Sequence, residues 1–414
     1  MGSFSIGSDI GPLQAVIVHE PGVEIENVTP HTAADALYDD ILFLGPARAE
    51  HRQMTAVLAK VADVLPLVDL LADVLEDGAV RTALLDSICT RHGCPDHAVD
   101  LAALPAAALA RALIGGVPER ANTLARHIDP SRFALPPQPN AFFTRDPAFG
   151  IGDRVFVGSF ARPVRADESD LMRAVLTHHP RLGGRTVDIG SRGGPGASIE
   201  GGDVVVVRDD LVIVGWSERT NVAGIDALLT ALAEDGKTRD VLVVALPAGR
   251  ATFHLDKVFT LLDHDTCVAY PPLITGDHGC RVTVAELAGG VVRGFRDAHG
   301  LLHALARRGV ELTVVPCGGV DPVSQDREQW ACGTNFLALA PGKVLGYGRN
   351  EATFAALANH GFRIVPADDV IAGRVDMGAP GRIAVALDGG ECLRGGGGVR
   401  CMTLPVARRP AWGA

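Results

Sequence analysis

The feature that most constrains the fold is a repeated pattern: a short apolar strand, a turn, a second apolar strand, then helical periodicity. The pattern is clearest in residues 203–232 and 335–357, and it recurs after Asp146 and, more faintly, after Asp256. Continuous β-branched runs around Gly/Asp turns predict strands, and the following Leu and Ala residues predict a helix. Units of about 55 residues, each a small sheet plus a helix, can close radially, although unrelated hairpins could also produce this likeness.

Each repeat begins with a polar side chain, namely Asp146, Asp203, Asp256 or Asn335. If the repeats surround one axis, equivalent positions lie on the same face of the molecule. We therefore predict an α/β fold in which carboxylates that are distant in the sequence converge.

A different kind of segment interrupts the repeats early in the chain. Residues 9–22 predict a first strand and turn, whereas apolar residues recur at helical spacing across 65–85, and 101–114 is an Ala/Leu-rich helix restarted at Pro105. The Pro-rich stretch 128–140 cannot continue a helix. We predict three parts: a first blade at 1–64, an inserted helical domain at 65–127, and the remaining blades at 128–414.

Composition narrows the classes of function. The chain has 414 residues, a net charge of −11 and a pI near 5.7, which argues against nucleic acid or an anionic membrane as its main partner and favours a cationic small molecule. Neither a signal peptide nor a run of about 18 apolar residues stands out, so we expect a cytoplasmic protein. The eight cysteines form no CxxC pair, which argues against a zinc ribbon or a disulfide framework.

A glycine run near the end of the sequence is a plausible setting for a nucleophile. Gly395 to Gly398 can bring the backbone close to a ligand, and Cys401 follows three residues after the last glycine. A reactive thiolate would need a nearby base or cation, and carboxylates to hold the substrate. The alternative is a buried core cysteine beside a flexible loop.

His254 and Asp256 are two residues apart, so on a strand they share one face, where a carboxylate can orient an imidazole. A surface His–Asp pair is the alternative. No further ligand lies near them in sequence, so we expect no metal. The glycine run lacks the Gly-Lys-Ser/Thr ending of a phosphate loop, so we expect no nucleotide or other cofactor.

Six motifs occur in the order found in arginine deiminases: PNAFFTRDP, SIEGGDV, GWSERT, FHLDKVF, DREQWACGTN and GGGGVRCMTLP. The chain resembles that family over almost its whole length. The resemblance implies a five-bladed α/β propeller of ββαβ repeats (the pentein fold) with a helical domain inserted after the first blade. It also implies hydrolysis of L-arginine to L-citrulline and ammonia without metal or organic cofactor, in an enzyme that assembles as a dimer or tetramer.

Carried over residue by residue, the resemblance makes Cys401 the nucleophile, His254 the general acid/base and Glu200 its carboxylate partner. Asp146 and Asp256 become the pair that grips the substrate nitrogens. The positions that match the family's substrate-binding residues are Leu37, Asn140, Phe143, Arg165, Arg219 and Gly395. Among them, Arg165 and Arg219 are expected to bind the substrate's α-carboxylate.

Five positions near the motifs depart from the usual family pattern: Trp216, Phe253, Lys257, Cys332 and Gly396. Some family members carry at the last of these an Arg that closes over the site. These departures leave open a modified or shortened guanidino acid as the substrate. Two other interpretations also stay open: another guanidino-modifying enzyme, such as an amidinotransferase or a dimethylarginine hydrolase, and a non-catalytic protein that binds guanidino acids.

Overall fold

The computed structural model describes residues 4–182, 184–276 and 279–412. Within these ranges the apolar runs form strands β1 (Leu13–Val18), β2 (Asp63–Pro66), β3 (Val117–Pro118), β4 (Phe133–Leu135), β5 (Ala148–Ile151), β6 (Arg154–Val157), β7 (Arg185–Asp188), β8 (Val204–Arg208), β9 (Leu211–Trp216), β10 (Asp240–Ala245), β11 (Phe259–Asp263), β12 (Thr266–Ala269), β13 (Val282–Ala288), β14 (Val291–Ala298), β15 (Thr313–Pro316), β16 (Leu337–Ala340), β17 (Lys343–Tyr347), β18 (Phe362–Pro366), β19 (Arg382–Leu387) and β20 (Leu404–Arg408).

Helices alternate with these strands. They are α1 (Val23–Glu26), α2 (Leu44–Leu58), α3 (Leu67–Leu75), α4 (Gly78–Arg91), α5 (Pro95–Ala102), α6 (Ala106–Gly115), α7 (Leu124–Ile128), α8 (Ala166–His178), α9 (Ile189–Gly193), α10 (Val222–Asp235), α11 (Pro271–Ile274), α12 (Leu301–Ala306), α13 (Pro322–Trp330), α14 (Glu351–Asn359) and α15 (Ala367–Ile371). Among the described residues, no helix has both the length and the apolarity that a membrane span requires.

Across the described ranges, five sheets share one plan. In each, one strand pairs antiparallel with one neighbour and parallel with another that follows a helix. The strand orders are β2-β1-β20, β5-β6-β7, β14-β13-β10-β9-β8, β11-β12-β15 and β16-β17-β19-β18, and β3 and β4 form a separate ribbon. The mixed α/β class predicted from the repeats is confirmed.

The central strands are apolar on both faces because both faces are covered. In β9, Val212 and Val214 pack in one core cluster with Leu228 of α10, whereas Ile213 packs in another with Leu255. Alternate residues of a strand point to opposite sides, so a strand between two cores needs an unbroken apolar run.

The helical block packs around a core of its own. Leu71 and Leu75 of α3 and Leu109 of α6 are fully buried there, and the same cluster includes Val157 of β6. Leu65 and Pro66 complete β2 beside β1, so the helices begin two residues later than the sequence pattern indicates.

His51 on α2 gives a test of how stability depends on pH. Its ring is 1% exposed, and neither ring nitrogen has a hydrogen-bond partner among the described residues. Burial, with a small contribution from His19, lowers the pKa of His51 from 6.5 to about 3. Below pH 6.5 the unfolded chain therefore binds a proton that the folded chain refuses, so folding free energy is lost as the pH falls towards 3.

We expect His51→Leu to lessen this loss. Between pH 6.5 and 5 the wild-type free energy of unfolding should fall by about 2 kcal/mol more than that of the variant, since each unit of pH is worth about 1.4 kcal/mol. Urea denaturation at several pH values measures the difference. Equal acid sensitivity in the two proteins would contradict the prediction.

Candidate active site

The five predicted catalytic residues lie in short segments that immediately precede equivalent strands, each of which pairs antiparallel with its neighbour in the sheet. A strand start has a fixed place in each sheet, so the segments before equivalent strands are brought to the same end of the molecule. The residues and the strands that follow them are Asp146 before β5, Glu200 before β8, His254 and Asp256 before β11, and Cys401 before β20.

Cys401 is buried and held by Asn335. The Asn335 amide Nδ2 donates to Cys401 Sγ at 3.2 Å, and the backbone N–H of Cys401 donates to Asn335 Oδ1, also at 3.2 Å. Asp256 Oδ2 lies 3.7 Å from the same sulfur. Burial, together with the carboxylates of Asp256 and Asp146, raises the pKa of the Cys401 thiol well above its usual value. The environment of Cys401 therefore favours the thiol over the thiolate.

His254 is fully buried between two carboxylates. Its Nε2 lies 2.8 Å from Glu200 Oε2, and its Nδ1 lies 3.7 Å from Asp146 Oδ1. Burial alone would lower the pKa of His254, but Asp146 and Glu200 outweigh it and raise the pKa to about 9. The imidazole therefore carries its proton near neutral pH and can act as an acid.

Gly202 and Asp203 help to position His254. A Cβ added to Gly202 would lie 2.4 Å from His254 Nδ1, so only glycine fits there. Asp203 Oδ1 accepts a hydrogen bond from the backbone N–H of Leu255 at 2.8 Å, which fixes the turn that carries the histidine.

Asp146, Glu200 and His254 are also the one group in the described ranges whose ligand atoms are close enough to hold a metal ion, all within 4.8 Å of one another. A protonated imidazole has no lone pair to offer a metal. The trio is therefore better suited to move a proton than to hold a metal ion.

Both predicted gripping carboxylates already contact protein arginines. Arg165 Nη1 donates to Asp146 Oδ2 at 2.7 Å, and Arg400 Nη1 donates to Asp256 Oδ2 at 2.9 Å. Arg165 also donates to both carboxylate oxygens of Glu168, at 2.9 and 2.7 Å. The guanidinium of Arg165 is therefore committed to carboxylates, although the sequence suggested that it would face the substrate's α-carboxylate.

One small cavity gathers the predicted substrate-binding residues. Its volume is about 20 Å³, enough for roughly one water molecule. The site is therefore narrow in this structure. Among the residues that line it are Cys401, Asp146 and all six of the predicted substrate-binding positions, Leu37, Asn140, Phe143, Arg165, Arg219 and Gly395.

The glycine run packs closely against the rings of Phe142 and Phe143. Cβ atoms added to Gly395 and Gly397 would lie 2.9 Å from Phe142 and 2.4 Å from Phe143, respectively. Asn140 holds the facing loop, because its Nδ2 donates to Ala36 O at 2.8 Å. Side chains larger than glycine would therefore separate the run from Phe143.

Sequence reasoning missed three contributors to the site. Arg400 pairs with Asp9 at 2.7 Å as well as with Asp256, and Arg250 lines the cavity beside Gly396. Glu168 was also missed, although its spacing of three residues from Arg165 on a predicted helix was a usable signal. Arg145 donates its backbone N–H to Cys401 O at 3.0 Å.

Solved structures share the fold. An amidinotransferase from Microseira wollei has a TM-score of 0.56 at 13% identity, with 99% of each chain covered. The DDAH from Pseudomonas aeruginosa, solved with citrulline, has a TM-score of 0.51 at 14% identity and covers 95% of this chain and 99% of its own. Identities this low support the fold alone, which is the mixed α/β pentein fold.

Full-length relatives are more specific. The chain is 37% identical over 427 aligned positions to the arginine deiminase of Rhodococcus opacus, covering 99% of both chains. It is 35% identical over 421 positions to the arginine deiminase of Mycobacterium marinum, covering 97% of this chain and 98% of that one. The family model for arginine deiminase matches residues 35–408.

Together with the buried thiol, imidazole and carboxylates, these findings define a hydrolase that acts on the C–N bonds of linear amidines. Within that class, the chain belongs to the arginine deiminase family.

Proposed function

We propose that the chain hydrolyses L-arginine to L-citrulline and ammonia, and that its own side chains perform the reaction. The observation that carries the proposal is the buried constellation in which Cys401 lies 3.7 Å from Asp256 while His254 pairs with Glu200 at 2.8 Å. These groups supply a nucleophile, a proton donor and the negative charge that a guanidinium requires.

Two oxygens in the site await donors. Asp146 Oδ1 and Glu200 Oε1 are buried and have no hydrogen-bond partner among the described residues. A buried carboxylate oxygen without a donor is costly, and a planar guanidinium presents N–H groups in a fixed fork that can satisfy such oxygens together. The substrate guanidinium therefore binds between Asp146 and Glu200 on one side and Asp256 on the other.

Substrate binding also prepares the nucleophile. A guanidinium remains protonated in water, so its carbon becomes electrophilic when carboxylates hold the cation in place without deprotonating it. Its positive charge beside Cys401 favours the thiolate over the thiol. Fixed placement of sulfur and carbon can lower the barrier by about 7–11 kcal/mol.

The reaction then proceeds in two halves. In the first, the Cys401 thiol loses its proton to solvent water and the thiolate adds to the guanidinium carbon. His254 then gives its proton to the leaving nitrogen, and the C–N bond breaks to release ammonia. In the second, water loses one proton to His254 and attacks the resulting thiouronium, the C–S bond breaks, and the other water proton passes to the sulfur as citrulline leaves. The enzyme ends with its thiol restored.

Arg219 is the better candidate to bind the substrate's α-carboxylate. Its guanidinium lies 3.6 Å from Glu200 Oε2 and 5.1 Å from the Phe253 ring, and its Nε has no hydrogen-bond partner in the described ranges. Among the described residues, Arg219 therefore has an N–H donor free for the substrate, whereas all three nitrogens of the Arg165 guanidinium already donate to carboxylates.

We expect Arg219→Gln to raise the KM for L-arginine by about 10- to 100-fold, the range of a lost hydrogen bond to a charged group. The KM for agmatine, which lacks the carboxylate, should change little. Steady-state kinetics with both compounds measure the contrast. An equal loss for the two substrates would contradict this role for Arg219.

A colorimetric assay for the ureido product, run first on L-arginine and then on a panel of guanidino acids, tests the proposed function. Arginine should rank at or near the top. A far better substrate would reassign the enzyme to a modified guanidino acid. Amidino transfer to an amine, seen by mass spectrometry, or tight arginine binding without citrulline, seen by calorimetry, would replace the proposal with one of the rival interpretations.

We also propose that the five sheets are the blades of a five-bladed propeller, with residues 65–127 inserted after the first blade (1–64) and the other blades at 128–414. The common strand plan of the sheets supports this arrangement. Assembly as a dimer or tetramer and a cytoplasmic location stay predictions, and light scattering on the purified protein tests the former.

A further inference from the structure

Four of the five departures from the family pattern form one cluster in space. Lys257 is at its centre: its Nζ lies 3.6 Å from Cys332 Sγ, 3.2 Å from Gly396 O and 5.0 Å from the centre of the Phe253 ring. The positions come from three separate motifs, yet they meet in one place beside the catalytic cavity.

Lys257 is a buried charge without an opposite charge. It is 2% exposed, and no carboxylate of the described residues lies within 4.0 Å of its Nζ. Buried lysines are normally paired, because an isolated ammonium in a protein interior is costly. A thiol, a carbonyl and an aromatic face compensate only partly, so the site favours an incoming anion.

Lys257 forms part of the lining of a second cavity of about 510 Å³, which we call the antechamber. Two of its cations are neutralised, since Arg250 pairs with Asp39 at 2.8 Å and Arg394 pairs with Asp40 at 2.6 Å. The residues that define the antechamber are Arg250, Lys257, Arg327, Trp330, Arg349 and Arg394.

Positive charge remains on the rim. Arg327 and Arg349 are exposed, and neither has a carboxylate partner within 4.0 Å in the part of the chain that the structure describes. The remaining lining carboxylate, Asp326, accepts a hydrogen bond from the Tyr270 hydroxyl. Trp330, 51% exposed, adds an apolar wall. This surplus of cations contrasts with a chain whose net charge is −11.

The antechamber adjoins the catalytic cavity. Arg250 and Gly396 line both. A Cβ added to Gly396 would lie 2.6 Å from Arg250 Nη2, so the missing side chain leaves room for this guanidinium at the boundary. Arg250 also donates to Leu37 O at 2.7 Å, which ties the boundary to a residue that lines the catalytic cavity.

We propose that the antechamber is a subsite for an anionic group, a carboxylate or a phosphate, that the guanidino acid substrate carries in addition to its α-carboxylate. Lys257 would receive the charge at the base of the subsite, Arg327 and Arg349 would meet it at the rim, and Trp330 would cover the linker. The inference rests on the proposed deiminase reaction and adds to its substrates the extended guanidino acids that carry a second anion.

Two matched pairs of substrates test it. The first is Nα-succinyl-L-arginine against Nα-acetyl-L-arginine, and the second is arginyl-aspartate against arginyl-asparagine, so that the anion is attached once through the amine and once through the carboxylate. In at least one pair, kcat/KM should favour the anionic member by about tenfold or more. Equal values within both pairs would overturn the proposal, even if free succinate binds.

Variants locate the effect. In Lys257→Met and Arg349→Gln the preference should shrink towards onefold, and Arg349→Gln should leave turnover of L-arginine unchanged. Arg307→Gln is the matched control, because Arg307 is exposed and lies outside the antechamber. If Lys257→Met does not fold, Arg349→Gln decides alone, and an undiminished preference there overturns the proposal. No ureido product from any substrate would refute the deiminase reaction itself.

Discussion

Replacing Cys401 by alanine is expected to abolish citrulline formation while L-arginine still binds. In the proposed reaction the Cys401 sulfur bonds to the guanidinium carbon, and it lies 3.7 Å from the Asp256 carboxylate. Removing a covalent nucleophile should lower kcat by about 10⁴-fold or more. The carboxylates that hold the substrate remain, so calorimetry should show arginine binding within about tenfold of the wild type.

Cys267→Ala is the matched control for this experiment. Cys267 is equally buried, but it lies in β12 and packs in a core cluster away from the cavity. The Cys267→Ala variant should have a lower free energy of unfolding and unchanged turnover of L-arginine. Intact-mass spectrometry of quenched wild type should reveal the thiouronium adduct on Cys401. If Cys401→Ala forms citrulline as fast as the wild type, the assignment of Cys401 as the nucleophile is refuted.

Replacing Glu200 by glutamine should change both the rate and its pH dependence. The pKa of His254 is about 9 because two carboxylates outweigh the effect of burial. A neutral amide stabilises the imidazolium less, so the pKa of His254 should fall. Loss of the protonated acid should lower kcat at neutral pH by about 10²-fold, the lower range for general acid catalysis.

The direction of the pH shift is specific. In the free wild-type enzyme, His254 keeps its proton until the pH approaches 9, so kcat/KM, which reports the free enzyme, should decline only as the pH nears that value. In Glu200→Gln the same decline should begin at lower pH. Glu218→Gln is the control, because in the described ranges Glu218 pairs with Arg219 at 3.7 Å and Arg162 at 3.9 Å and not with His254. An unchanged alkaline decline in Glu200→Gln would contradict the assigned pairing.

The sequence predicted the architecture of the site better than its internal contacts. The repeats indicated Asp146 and Asp256, the spacing to Asp256 indicated His254, and the glycine run indicated Cys401. The resemblance to arginine deiminases added Glu200 and implied the catalytic roles. Such local patterns can be recognised in the sequence alone. The predicted catalytic roles of these residues remain predictions for the experiments above.

Contacts between distant segments could not be read from the sequence. Arg400 donates to Asp9, which is 391 positions away, and Lys257 meets Cys332 across 75 positions. Nothing in the spacing of these residues indicates that they pair, because their contacts depend on how whole sheets pack. For the same reason the sequence predicted that Arg165 binds the substrate's α-carboxylate, but it could not show that Arg165 already donates hydrogen bonds to Asp146 and Glu168.

The pairing of β1 with β20 has a consequence for the order in which the protein acquires activity. This pairing joins Leu13 with Arg408, and Cys401 lies just ahead of it. Contacts between such distant segments form slowly, because a very long loop must close first. During recovery from denaturant, the nucleophile should therefore reach its partners only when the last sheet closes, so that regained catalysis marks the end of folding.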